Sequence, residues 1–136
     1  MLTVAMIFSP GYQVMNLAAL TVFEVANMNA EQAVYDIRLL SEHGGLVMSS
    51  MGTPLDTLPL SDLPFDTIIF GGPTRVTPAS AALRAFARKS LKSSRRVAAI
   101  CMGAFTLAEA GVLAGLFEGK PERPALRSNW RRWLRS

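Results

Sequence analysis

The sequence predicts an α/β fold around a mostly parallel sheet. Three observations carry this. Short apolar runs of strand length stand at residues 3–8, 65–70 and 95–100, and continuous runs of this kind suit strands covered on both faces. Between and after them, apolar residues recur at helical spacing over 14–26, 79–91 and 104–111. Half of the 136 residues are hydrophobic and 18% are charged, which supplies one core and excludes a disordered chain.

Each element has a local reason. The first strand, 3–8, is broken by Ser9, Pro10 and Gly11. The helix that follows has Val14, Leu17, Leu20 and Phe23 at its spacing, and Asn27 and Asn29 are stop signals. Asn16 suits its N-cap, where a side-chain oxygen accepts from a free N–H of the first turn. Residues 33–40 alternate through Tyr35, Ile37 and Leu39 as a second strand. Residues 41–45, SEHGG, read as a turn with His43 as a solvated loop residue. Segments 46–50 and 51–55 read as a small hairpin, and 58–64 as a proline-punctuated connection. Strand 65–70 runs into Gly71, Gly72 and Pro73. The helix 79–91 is amphipathic, with Leu83, Phe86, Ala87 and Leu91 apart from Arg84, Arg88, Lys89 and Lys92. Alternation of this kind predicts right-handed βαβ units. It leaves the strand order open.

Residues 95–111, RRVAAICMGAFTLAEAG, organise the rest. Strand signals give way to helix signals within two residues, so the turn at Cys101 and Met102 must be tight. Gly103 lets the helix backbone approach the strand. A side chain at such a corner projects from the carboxyl end of a strand, the geometry of a nucleophile elbow with cysteine in the serine position. A thiol beside a helix N-terminus is expected to favour thiolate. The alternative is a small buried apolar residue. Gly71 and Gly72 follow a strand directly, and their N–H groups with that of Met102 could hold an oxyanion. The alternative is an ordinary glycine turn. The segment lacks the GK[ST] of a phosphate-gripping loop.

The run AICMGAFTLAEAGVLAG resembles the PfpI-like, class I glutamine amidotransferase-like superfamily, nearest the N-terminal sensor half of AraC-type transcription regulators. The resemblance is specific over residues 101–115. It implies a flavodoxin-like (Rossmann-like) three-layer sandwich, incomplete at the C-terminus. It also implies that the Gly71–Gly72–Pro73 turn serves as an oxyanion site. Residues 10–27, PGYQVMNLAALTVFEVAN, resemble the family stretch that often places an acid beside the nucleophile. Here Asn16 stands for the acid, and an amide cannot act as a general acid or base. The family histidine that follows the corner helix has no counterpart, and His43 is the sole histidine. No Cys–His–acid arrangement can be assembled.

Charge divides the chain. Residues 1–119 carry 8 Lys and Arg against 9 Asp and Glu, whereas 120–136 carry 6 against 1. The body therefore has no footprint for nucleic acid, and the chain alone is expected to show no sequence-specific binding. Residues 1–119 are expected to form the N-terminal part of the family domain. Residues 120–136 are expected to be a basic, non-family tail of a truncated or frameshifted reading frame. One cysteine, no apolar run of membrane length and no basic leader point to a cytoplasmic protein without membrane contact. The resulting expectation is a sensor domain without its helix-turn-helix module, with an unidentified small-molecule ligand and a homodimer as partners. No cofactor or metal is expected. The alternative is a small cysteine-dependent hydrolase, hydratase or deglycase with Cys101 as nucleophile and Gly72 and Met102 as oxyanion contacts. A fragment without function is the third reading.

Overall fold

A computed structural model describes residues 1–113. Six strands, β1 (Leu2–Ile7), β2 (Tyr35–Ser41), β3 (His43–Met48), β4 (Pro54–Pro59), β5 (Thr67–Phe70) and β6 (Arg96–Ala99), form one sheet in the order β3-β4-β2-β1-β5-β6. β1 (Leu2–Ile7) lies inside it, paired in parallel with β2 (Tyr35–Ser41) on one side and β5 (Thr67–Phe70) on the other. β6 (Arg96–Ala99) extends the parallel set beyond β5. Val4, Ala5, Met6, Ile7 and Phe8 are all at most 1% exposed. A continuous apolar run has nowhere else to go than between two covering layers.

On one face, α2 (Ala81–Ser93) and α3 (Gly103–Glu109) close over Ala5, Ile7, Leu40, Ile68 and Phe70. On the other, α1 (Ala18–Asn29) packs Leu20 and Phe23 toward Val4, Met6 and Tyr35. The architecture is the expected α/β sandwich. Ser80 caps α2 by accepting from the Leu83 N–H at 3.1 Å. Asn27 ties the end of α1 to the start of β2, accepting from the Val34 and Tyr35 N–H groups and donating to the Tyr35 carbonyl.

Four local expectations are corrected. Residues 41–45 are not a turn: Ser41 ends β2 and strand β3 (His43–Met48) begins at His43, so His43 is an exposed strand residue rather than a loop residue. Gly44 and Gly45, with φ of +70° and +73°, mimic a turn in sequence while antiparallel pairing with β4 (Pro54–Pro59) satisfies the backbone. The second arm of that hairpin begins at Pro54 rather than at Met51, and it absorbs Leu58 and Pro59 from the expected connection. Prolines at both ends cost little, because strand ends tolerate a missing donor. Finally, Asn16 does not cap α1. Its place is a single 3-10 turn, Val14–Leu17, and Leu17 precedes the helix without a side-chain cap. The expected basic segment 120–136 lies outside the described residues.

Asp66 and Arg95 join the leads into β5 and β6, with two N–H···O contacts at 2.8 and 3.2 Å. This guanidinium, helped by the Thr67 hydroxyl, holds the Asp66 carboxyl below its ordinary 3.8. A depressed folded value means stability that is present above the ordinary value and lost as pH falls through the folded one. In Arg95→Ala, the Asp66 titration followed by carboxylate NMR is expected to move up toward 3.8, the melting temperature to fall at neutral pH, and the part of its decline in acid that Asp66 contributes to disappear.

Candidate functional site

The carboxyl ends of β1, β5 and β6 meet at one edge of the sheet, and the loops leaving them build the site. The loop after β1 is braced by Tyr12, which is fully buried, bridges Ser49 and Pro73, and donates its hydroxyl to the Thr53 carbonyl at 3.1 Å. The loop after β5 begins with Gly71, whose N–H donates to the Ile7 carbonyl at 3.0 Å. That donor is therefore engaged, and the expectation that Gly71 offers a free N–H is corrected. The Gly72 carbonyl accepts from the Gln13 N–H at 3.4 Å and from Asn16 Nδ2 at 3.0 Å.

Between β6 and α3 the chain turns at Cys101, the only non-glycine residue with positive φ among the described residues, at +50°. An L-residue held in the left-handed region stores on the order of 1–3 kcal/mol, and such strain persists only where the surroundings dictate it. Here they do. The Ile100 N–H donates to the Phe70 carbonyl at 2.9 Å, and the Gly103 N–H donates back to the Ile100 carbonyl at 2.9 Å. A Cβ on Gly103 would lie 2.0 Å from the Phe70 carbonyl oxygen, and one on Gly72 would lie 2.4 Å from the Gly103 nitrogen. Two glycines facing each other let the corner press onto the β5 turn.

The corner carries Cys101 outward. It is exposed, which removes the reading of a buried apolar residue. Met102 is half-buried against Gly72. Among the described residues, neither the Gly72 N–H nor the Met102 N–H has an acceptor. Asn16 is fully buried behind the turn, and its Oδ1 has no partner among the described residues. Thus Met102 and Asn16 meet at Gly72, and Cys101 directly precedes Met102. His43 does not join them. It sits 87% exposed on β3, at the opposite edge of the sheet from β6. No group of three or more His, Cys, Asp or Glu residues suited to a metal ion occurs among the described residues. No described helix is long and apolar enough to cross a membrane.

Two features were invisible in sequence. The Asn16 amide grips a carbonyl 56 positions away, and no local pattern signals that. Glu109 Oε2 accepts from the Ala79 N–H at 2.9 Å, fixing α3 to the approach of α2.

Residues 5–116 match the DJ-1/PfpI family. The chain belongs to this family. A relative in Streptomyces lividans, the uncharacterized protein in the cpoL 5'region, is 34% identical over 87 residues, covering 61% of this chain and 62% of that one. The chain thus spans under two thirds of that relative's length. Among solved structures, an AraC family transcriptional regulator from Pseudomonas putida superposes with a TM-score of 0.71 at 21% identity, over 87% of this chain and 72% of that chain. Drosophila melanogaster DJ-1beta superposes with a TM-score of 0.65 at 22% identity, over 82% of this chain and 61% of that chain. Identities this low establish a shared fold. A DJ-1/PfpI corner so tightly seated makes a sharp prediction. Gly103→Ala is expected to cost about 2–3 kcal/mol, read from denaturant midpoints, because the Cβ overlaps a carbonyl oxygen that strand pairing holds in place.

Asn16→Asp tests the amide. A buried carboxylate there would face the Gly72 carbonyl without a donor, so its folded pKa should rise above the unfolded value. Protonated, it can donate in place of Nδ2. The variant should therefore approach the parent's stability in acid and fall below it as pH rises through that raised value, by about 1–3 kcal/mol at neutral pH. Melting temperatures of both proteins between pH 4 and pH 8 check this.

Proposed function

We propose that this DJ-1/PfpI domain is the ligand-sensing domain of an AraC-type transcription regulator working in the cytoplasm. It recognises a small molecule at the Cys101 corner and leaves DNA reading to a separate module. One observation carries the reading: among the described residues, the sole thiol of the chain stands without an acid–base partner. Asn16 occupies the place where the resemblance puts an acid, and its amide is spent on the Gly72 carbonyl. The sole histidine is at the far edge of the sheet. A thiol so placed can bind or be modified, but proton transfer during turnover has no carrier among the described residues. That help is worth about 10²–10⁴-fold in rate. The resemblance over residues 101–115 and the fold shared with the Pseudomonas putida regulator support the same reading.

The ligand's fit follows from the groups at hand. The Gly72 and Met102 N–H groups suit a carbonyl or carboxylate oxygen, and the exposed Cys101 directly precedes Met102 in the chain. The second reading is a cysteine-dependent hydrolase, hydratase or deglycase, favoured by the positive φ that presents the thiol. Turnover separates the two. Cys101 is expected to react stoichiometrically with a thiol reagent in the folded protein. Activated esters and α-oxoaldehydes are expected to turn over at the same background rate in the parent and in Cys101→Ser. Robust turnover that Cys101→Ser abolishes would replace the sensor with the enzyme.

A further inference from the structure

The near-even charge balance over residues 1–119 is an average over regions of opposite sign. Residues 1–66 carry 7 Asp and Glu against Arg38 alone. Residues 67–108 carry 7 Lys and Arg and no acid at all. The fold keeps the two regions apart. α2 crosses from β5 to β6 at one end of the sheet, while β2 and β4, with Asp36 and Asp56, lie toward the other. Among the described residues, Lys89 is paired with Asp62 and Arg95 with Asp66, whereas Arg84, Arg88 and Lys92 have no ion pair. These three stand at i, i+4 and i+8 on α2, so they share one side of it, within roughly 80° of arc at 3.6 residues per turn. Arg88 and Lys92 are exposed and Arg84 is half-buried. Ala81 and Ala85, both exposed, fill the rest of that side. Like charges four residues apart repel, so the row strains the helix alone and is relieved by a partner of opposite sign.

We propose that this row is a docking face for the phosphate backbone of duplex DNA, held without regard to sequence. Spacing argues for anions in series. Successive cations of the row rise about 6 Å along the helix, close to the step between neighbouring phosphates of one strand. Two of the three are arginines, whose planar fork matches phosphate oxygens. What the row lacks argues for a duplex. No aromatic ring stands among the cations to stack a base, since Phe86 is half-buried and packs on Phe70 with ring centroids 6.3 Å apart. The residues between the cations are alanines, too short to enter a bilayer, and Leu91, 46% exposed, stands at the edge of the row. The acidic end of the sheet is repelled by the same polyanion, so the field turns α2 toward it. Phosphate contacts carry no base readout, which agrees with the absence of sequence-specific binding expected of this chain. The choice of DNA over an RNA duplex rests on the proposed place of this domain in a transcription regulator; the phosphate contact itself does not.

Fluorescence anisotropy of the full chain with two unrelated short DNA duplexes, over roughly 50–200 mM salt, tests it. The two duplexes are expected to bind equally. In the triple variant Arg84→Gln, Arg88→Gln, Lys92→Gln, the slope of log affinity against log salt should become shallower by about 2.7, with at least ~tenfold weaker binding at the lowest salt. Residues 120–136 are the same in both proteins, so the difference belongs to α2. Ala85→Glu, at a position already exposed, sets an acid in the row and should weaken binding by itself while keeping the parent's circular dichroism. A triple variant with the parent's slope overturns the proposal, and so does Ala85→Glu binding as tightly as the parent. An RNA duplex of the same sequence held more tightly than DNA overturns the choice of DNA. Phosphatidylserine vesicles held where neither duplex is held would put a membrane surface in its place. Turnover abolished by Cys101→Ser would remove the sensor reading and leave the salt slopes to judge α2 separately.

Discussion

The contact on which this structure depends is backbone against backbone: the first turn of α3 pressed onto the carboxyl end of β5. No side chain fits there. A Cβ at Gly103 would stand 2.0 Å from the Phe70 oxygen, and one at Gly72 would stand 2.5 Å from the Met102 carbonyl carbon. Because the two surfaces touch without side chains, the corner between β6 and α3 cannot relax outward or inward. Cys101 takes the strained φ of +50° as a result. The position of the thiol is thus set by two glycines rather than by anything attached to the cysteine.

What lies behind that contact decides its chemistry. The β5 turn is held from the rear by the Ile7 carbonyl, by Gln13 and by the Asn16 amide. An amide at this place is rigid and neutral. It can fix the turn over a wide pH range, and it cannot move a proton. A buried carboxylate would do the reverse, since its charge state would respond to burial and to any bound group. The proposed sensing role of the Cys101 corner rests on this neutral tie.

The sheet also distributes polarity unevenly. α2 is the conventional amphipathic helix, with a core stripe and a basic outer face, whereas α1 is nearly uncharged throughout.

Much of this was legible in the residues themselves. The continuous apolar run of β1 and the amphipathic spacing of α2 fixed parallel strands and a covering helix, because burial on two faces and burial on one face leave different periods. The strand–Cys–Met–Gly–helix run fixed the corner, because only a tight turn joins those signals. Other features came only with the tertiary structure. Gly44 and Gly45 read as a turn until β4 supplied their pairing. Asn16 read as a cap, since local chemistry favours that use, and became a tie to Gly72 through a contact across 56 residues. The Gly71 N–H read as free until Ile7 took it. In each case the residue's own preferences were satisfied equally well by two arrangements. The choice was made by a partner distant in sequence, which periodicity and local propensity do not encode.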